Sequence, residues 1–257
     1  SIRSWEQAFL NGECNEIQSI FWNPKLVEEL YDTENDPWEV NNLADDPDYV
    51  DVLNRMRKAN KNWTSDIFDT GFIPEADMVE RAGEEPFYDY VRSEKVNLQE
   101  IMEVADLATL GNPENIETLS SYLNNNESAI RYWGATGLLI LGENAKEALP
   151  ELIIATNDPS GNVAVVAAEA IYNLGEKEAG KKALLNVLNN PSEYARCHAL
   201  NAIDCINEKS PEIIEGVINL VNSSGDRSKN AYDLRASKWL IEKWGLNPDV
   251  YNITFEW

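Results

Sequence analysis

From about residue 97 onward the apolar residues return on a schedule. Leu110-Gly111, Leu141-Gly142 and Leu174-Gly175 close three successive runs at intervals of 31 and 33 residues. Ala170-Ile171 returns as Ala202-Ile203 after 32. Within each run the apolar positions follow a helical spacing: Ala105, Leu107, Leu110; Ala135, Leu138, Leu141; Ala168, Ile171, Leu174; Ala199, Ile203, Ile206. Second apolar runs fall between them, at 116–123, 148–155, 179–188 and 213–221. Polar turns punctuate the series at Asn124-Asn125-Asn126, Asn157-Asp158-Pro159, Asn189-Asn190-Pro191 and Ser223-Ser224-Gly225. A helix pair of this length cannot bury its apolar face alone, so a repeat of it predicts a stacked α-solenoid. We expect an opening helix near 97–110 and about four helix pairs. The last pair, running into Asp233–Trp244, has a longer spacing, as a capping repeat should. The tail Val250–Phe255 is β-branched and aromatic and is expected to cover the open end. Gly134, Gly137, Ala167, Ala168 and Ala170 are small enough to let neighbouring helices approach closely.

The first 96 residues follow no such period. Ser4 is placed to cap a short helix carrying Trp5, Ala8 and Phe9, which Gly12 ends. Ile17, Ile20 and Phe21 predict a second helical run, stopped by Pro24. Glu28–Tyr31 reads as a short strand, and Asp36-Pro37 as the start of a turn. Asp48 is expected to cap a helix whose stripe is Tyr49, Leu53, Met56 and Trp63. That stripe needs another surface to cover it. Residues 66–96 mix acids, glycines and prolines with Phe68, Phe72, Phe87, Tyr88 and Tyr90. This is a packed connector, too aromatic for a free linker, with a helix starting after Pro74. The expected division is therefore 1–65, 66–96 and 97–257, and the expected class is mainly α, an α-solenoid behind a small α+β segment.

Composition sharpens this picture chiefly by exclusion. At 43% hydrophobic residues, the 257-residue chain can bury a core. A formal net charge of −24 and the lack of any basic run argue against nucleic acid as a partner. No apolar stretch approaches the ~20 residues of a membrane span. Ser1 stands where an initiator Met would, so the chain is expected to be a piece of something longer. Cys197 and Cys205 lie eight residues apart on one expected helix, about 12 Å along its axis, beyond disulfide reach. With Cys14 they read as structural thiols, and a single His, His198, leaves no metal cluster. Asp32, Glu34 and Asp36 match the opening of a calcium loop, but Pro37 and Leu43 occupy the positions that need Gly and a bidentate Glu. We therefore assign no catalytic, cofactor or metal residue.

The run EELYDTENDPWEVNNLADDPDYVDVLNRMRKANKNW resembles the C-terminal end of a bacterial type I sulfatase, of the arylsulfatase-like, alkaline-phosphatase superfamily. The residues that carry the resemblance are Glu29-Leu30-Tyr31-Asp32, Asp36-Pro37 with Glu39, Asn42-Leu43 and Trp63. FLNGECNEIQSIFWNP before them and TGFIPEADM after them are similar to the flanking segments of bacterial members. The later repeats resemble short bacterial HEAT repeats, also called PBS-lyase HEAT-like repeats. They share the D-P turn, the Ile130-Arg131 and Ala195-Arg196 pairs and the A-A-x-A-L-x-x-L-G line; Ala164 or Val165 departs from the Arg. Some bacterial sulfatases carry such repeats behind the catalytic domain.

The resemblance implies a parent enzyme with calcium and a formylglycine in a catalytic core. None of Cys14, Cys197 and Cys205 lies in the C/S-x-P/A-S-R context that a formylglycine requires. This chain alone is thus expected to be no enzyme but a non-catalytic C-terminal part. Its expected partner is its own sulfatase catalytic domain or another protein, and the implied compartment is periplasmic or secreted. The alternative is a free-standing HEAT-repeat interaction scaffold. If any surface binds a partner, the candidates are Arg131, Tyr132, Tyr194, Arg196 and His198. They stand at the starts of helices, which line the inner face in HEAT arrays. The plainer reading is that Arg131 and Arg196 bond the preceding turns and stitch neighbouring repeats, with Trp133 in the core.

Overall fold

The computed structural model describes residues 2–93, 95–225, 231–247 and 250. Most of the tail expected to cover the open end lies outside these residues. The chain divides into two compact units, residues 1–67 and 68–257. It is mainly helical, with no strand among the described residues.

In the first unit α1 runs Ile2–Leu10, so Ser4 lies inside the helix and does not cap it. Gly12, at φ 72°, ends the turn that follows. The four-residue α2, Glu16–Ser19, carries a reciprocal capping box between Asn15 and Gln18 and continues as a 3₁₀ turn, Ile20–Trp22. Trp5, Phe9, Phe21 and Trp22 pack around this corner, Trp5 stacked on Phe21 with centroids 5.1 Å apart and Trp22 edge-on to both. α3 spans Val50–Asp66. Its lead-in turn is capped by Asp46, which accepts the Asp48 N–H, and not by Asp48 itself.

The strand expected at Glu28–Tyr31 does not form, because nothing forms a ladder with it. Leu30 alone is held to another segment by its backbone at both ends: its N–H goes to the Asn42 side chain at 2.9 Å and its C=O takes the Leu43 N–H at 2.8 Å, while the Glu28 C=O takes only the Asn42 amide at 3.5 Å. One paired residue makes an extended segment, not a sheet. Unit 1 buries little: of its described residues only Leu53 and Thr64 are fully covered. Trp38 is 85% exposed and Trp63 59%, and Phe21, Leu26, Val27 and Met56 are also exposed.

The second unit begins with two short helices, α4 (Glu75–Ala82) and α5 (Phe87–Arg92). Then follow α6 (Leu98–Thr109), α7 (Ile116–Tyr122), α8 (Ser128–Leu141), α9 (Leu149–Ala155), α10 (Gly161–Asn173), α11 (Lys177–Val187), α12 (Glu193–Cys205), α13 (Pro211–Asn222) and α14 (Tyr232–Lys243). Packing follows chain order: α6 and α7 on α8, α8 and α9 on α10, α10 on α11 and α12, α12 and α13 on α14. Three successive apolar clusters fill the interior, around Ile101 and Ile130, then Leu138 and Ile171, then Leu184 and Ile203.

Two glycines show how closely the helices approach. A Cβ on Gly134 would stand 2.9 Å from the Leu119 carbonyl oxygen, and one on Gly180 2.8 Å from that of Ala168. Three turns between layers are closed by the same device. Asn125, Asp158 and Asn190 accept the N–H two residues ahead, from Glu127, Ser160 and Ser192. No helix among the described residues is long and apolar enough to cross a membrane.

Candidate functional site

The five candidate residues lie at the starts of α8 and α12, and their roles divide. Arg131 and Arg196 are fourth in their helices, so each guanidinium reaches back over the turn it has just left. Arg131 donates to the carbonyls of Asn125 and Asn126 at 2.9 and 3.2 Å. It also grips Asp158 of the next turn with two bonds, 2.6 and 2.8 Å. Arg196 repeats the arrangement one layer on. It donates to the carbonyls of Asn190 and Pro191, and its Nε holds Asp233 of α14 at 2.6 Å. Asp233 is fully buried and the Arg196 side chain only 10% exposed. Both arginines are therefore committed to joining one layer to the next, and neither presents a free charge to a ligand.

The intervening helix α10 breaks this series, because Ala164 occupies the equivalent fourth position. A different group enters there. Asp77 of α4, 3% exposed, accepts the Ser160 hydroxyl at 2.9 Å, the Asn162 amide at 3.4 Å and, with its other oxygen, the Ser128 hydroxyl at 2.5 Å. Ser128 and Ser160 sit at the starts of α8 and α10, where unpaired N–H groups favour an anion. Arg81, one turn along α4, stands 3.6 Å from Asp77 and donates to Ser128 at 2.6 Å and to Glu127.

His198 completes the cluster. Its Nδ1 lies 3.0 Å from the Asn162 carbonyl oxygen. Since the Asn162 amide faces the acceptor Asp77, its oxygen must face the ring, so Nδ1 carries the proton. Burial pushes the imidazole down to about 4, so the ring is neutral at pH 7. Tyr132 lies 6.2 Å from His198, and burial first, then the Asp77 charge, pushes its hydroxyl up. Tyr194 pairs with Tyr232 at 5.7 Å.

The acids of α4 reach further along the same face. Glu75 acts on Tyr194 and on the Cys197 thiol, which burial holds above its usual range. Trp133 is half-buried, and its Nε1–H is spent on the Phe72 carbonyl at 2.8 Å. The connector thus occupies the face where a partner was expected, and sequence reasoning missed Asp77 as its central residue. Asp77 lies 51 residues from Ser128 and 85 from Asn162, and only its place among Ala76, Met78 and Val79 marked it as an acid in apolar company.

The acids 32–36 do not converge on an ion. Asp32 accepts the N–H groups of Glu34 and Asn35 and the Asn35 amide, while Asp36 accepts those of Val40 and Asn41. These oxygens are spent on turns. Among the described residues no group of three or more His, Cys, Asp or Glu is placed to hold a metal. The cysteines are free.

No family model matches the chain, and no solved structure does. The chain is 37% identical over 71 residues to a protein of Formosa agariphila described as an ulvan-active sulfatase. That match takes in 27% of this chain and 12% of the relative's length. Over part of its length, then, the chain is related to a sulfatase.

Proposed function

We propose that this chain is the non-catalytic C-terminal part of a sulfatase-like sulfuric ester hydrolase. Residues 1–65 complete a catalytic domain whose reacting groups lie elsewhere. Residues 97–257 form a HEAT-like α-solenoid that docks on that domain, shapes substrate access or contacts another protein. The observation that carries this reading is the 37% identity to a sulfatase. The physics of unit 1 supports it. A unit with two buried residues among those described, and with Trp38, Trp63, Phe21 and Leu26 exposed, carries more apolar surface than it covers, as the edge of a larger core would.

Calcium and a formylglycine belong in this reading to the parent's catalytic core, and the compartment is periplasmic or secreted. A free-standing interaction scaffold is the second reading, favoured by the three clusters of unit 2, which pack well by themselves. The test is aryl sulfate hydrolysis by the complete product of the reading frame and by the 257 residues alone. Turnover should appear only in the former; clear turnover by the 257 residues would sink the proposal.

A further inference from the structure

We propose that α4 is a releasable strap, held over the inner face of unit 2 by Asp77, and that this face is a seat for a helix carrying one carboxylate. The seat is built from the other side. Ser128, Ser160 and Asn162 are neutral donors converging on one anion, at the point where α10 lacks the arginine that α8 and α12 use to join layers. A carboxylate placed there satisfies donors that water would reach only if the strap lifted.

The strap's own grip is narrow. Within α4 only Ala76 and Asp77 are fully buried, while Val79 on the outer side is 53% exposed. Pro74 opens the helix, and Gly83, at φ 57°, ends it in a conformation suited to glycine. Beyond these, Arg81 holds Ser128 and Glu127 and Met78 packs on the first cluster; a two-turn helix held by so few side chains is a candidate for local opening below the free energy of the whole unit. Release would uncover α10 and α12 where α4 packs on them, at the apolar cluster that joins Ala76 to Ala195 and Tyr194, beside the half-buried Cys197. The ligand class follows from the occupant: an amphipathic helix with Asp followed one turn later by Arg, as Asp77 and Arg81 are.

The experiment uses the intact 257-residue chain. In the unaltered protein, amide hydrogen exchange should release α4 at least about tenfold faster than α10 and α12. In Asp77→Ala, maleimide labelling of Cys197, resolved by peptide mass spectrometry, should rise at least about tenfold while α10 and α12 keep their protection. A labelled peptide of residues 70–84 should bind the Asp77→Ala chain and not the unaltered one, and the same peptide carrying Asp77→Ala should not bind. The proposal is overturned if α4 exchanges only with α10 and α12. It is equally overturned if Asp77→Ala changes neither labelling nor peptide binding. Should Asp77→Ala fail to fold, Asp77→Asn and the exchange of the unaltered chain decide the matter in the same terms.

Discussion

Replacing Arg196 by Met tests most severely how the layers of unit 2 are joined. Met keeps most of the aliphatic stem and removes every donor. The loss is specific: the 2.6 Å bond to Asp233 and the bonds to the Asn190 and Pro191 carbonyls. Asp233 is fully buried, so its carboxylate cannot turn to water for compensation. Stripping one member from a buried pair of this kind costs about 3–5 kcal/mol. With a urea dependence of roughly 2 kcal/mol per molar, the unfolding midpoint should fall by roughly 2 M. Arg131→Met should cost less, about 2–3 kcal/mol, because Asp158 is only partly buried and can regain water where the fully buried Asp233 cannot. The double variant Arg196→Met with Asp233→Leu should recover most of the loss, since an apolar pair in place of a buried ion pair is often neutral. The assay is urea denaturation followed by far-ultraviolet circular dichroism. The reasoning is refuted if Arg196→Met shifts the midpoint negligibly. It also fails if the double variant is no more stable than the single one, because the cost would then lie in the turn carbonyls.

Further expectations concern single sites. His198 is held neutral, its folded value depressed from 6.5 to about 4, so between those values the unfolded chain binds more protons. Stability therefore rises with pH through that window and is lost as pH falls from 6.5 towards 4, by up to about 3 kcal/mol. Stability measured across this range should fall more steeply for the unaltered chain than for His198→Gln, and equal slopes would contradict the burial argument. Gly134→Ala and Gly180→Ala each set a Cβ against a helix carbonyl at 2.9 and 2.8 Å. The clash, about 1–3 kcal/mol, should outweigh the helix-propensity gain of about 1; a raised melting temperature in either would show the contact to be looser. Trp133→Phe removes the bond to the Phe72 carbonyl and should cost about 1 kcal/mol, with faster amide exchange confined to residues near Phe72.

The helices of the second unit were legible because their apolar residues recur with the helical period and their turns carry Asn, Asp, Pro and Gly. α7, expected over 116–123, runs Ile116–Tyr122, and α14, expected over Asp233–Trp244, runs Tyr232–Lys243. Capping was less legible, because several side chains near a helix start can serve: Asp46 does what Asp48 was expected to do. The strand at Glu28–Tyr31 was misread because composition reports β-propensity but not whether a partner is at hand to pair. Arg131 and Arg196 do bond the turns behind them, as the plainer reading held. Their acid partners, Asp158 and Asp233, lie 27 and 37 residues on, and no local pattern marks them. Asp77 was invisible for the same reason. Its donors come from two helices that only the folded chain brings together.

The claim that this chain belongs to a longer sulfatase-like enzyme meets its most direct test in the native polypeptide. An antibody raised against these residues should capture, from the source cells, a species far heavier than 29.0 kDa. Peptide mass spectrometry of it should recover residues 1–257 together with a segment of C/S-x-P/A-S-R type carrying a formylglycine. A species of about the chain's own mass, with no such segment, would contradict the account.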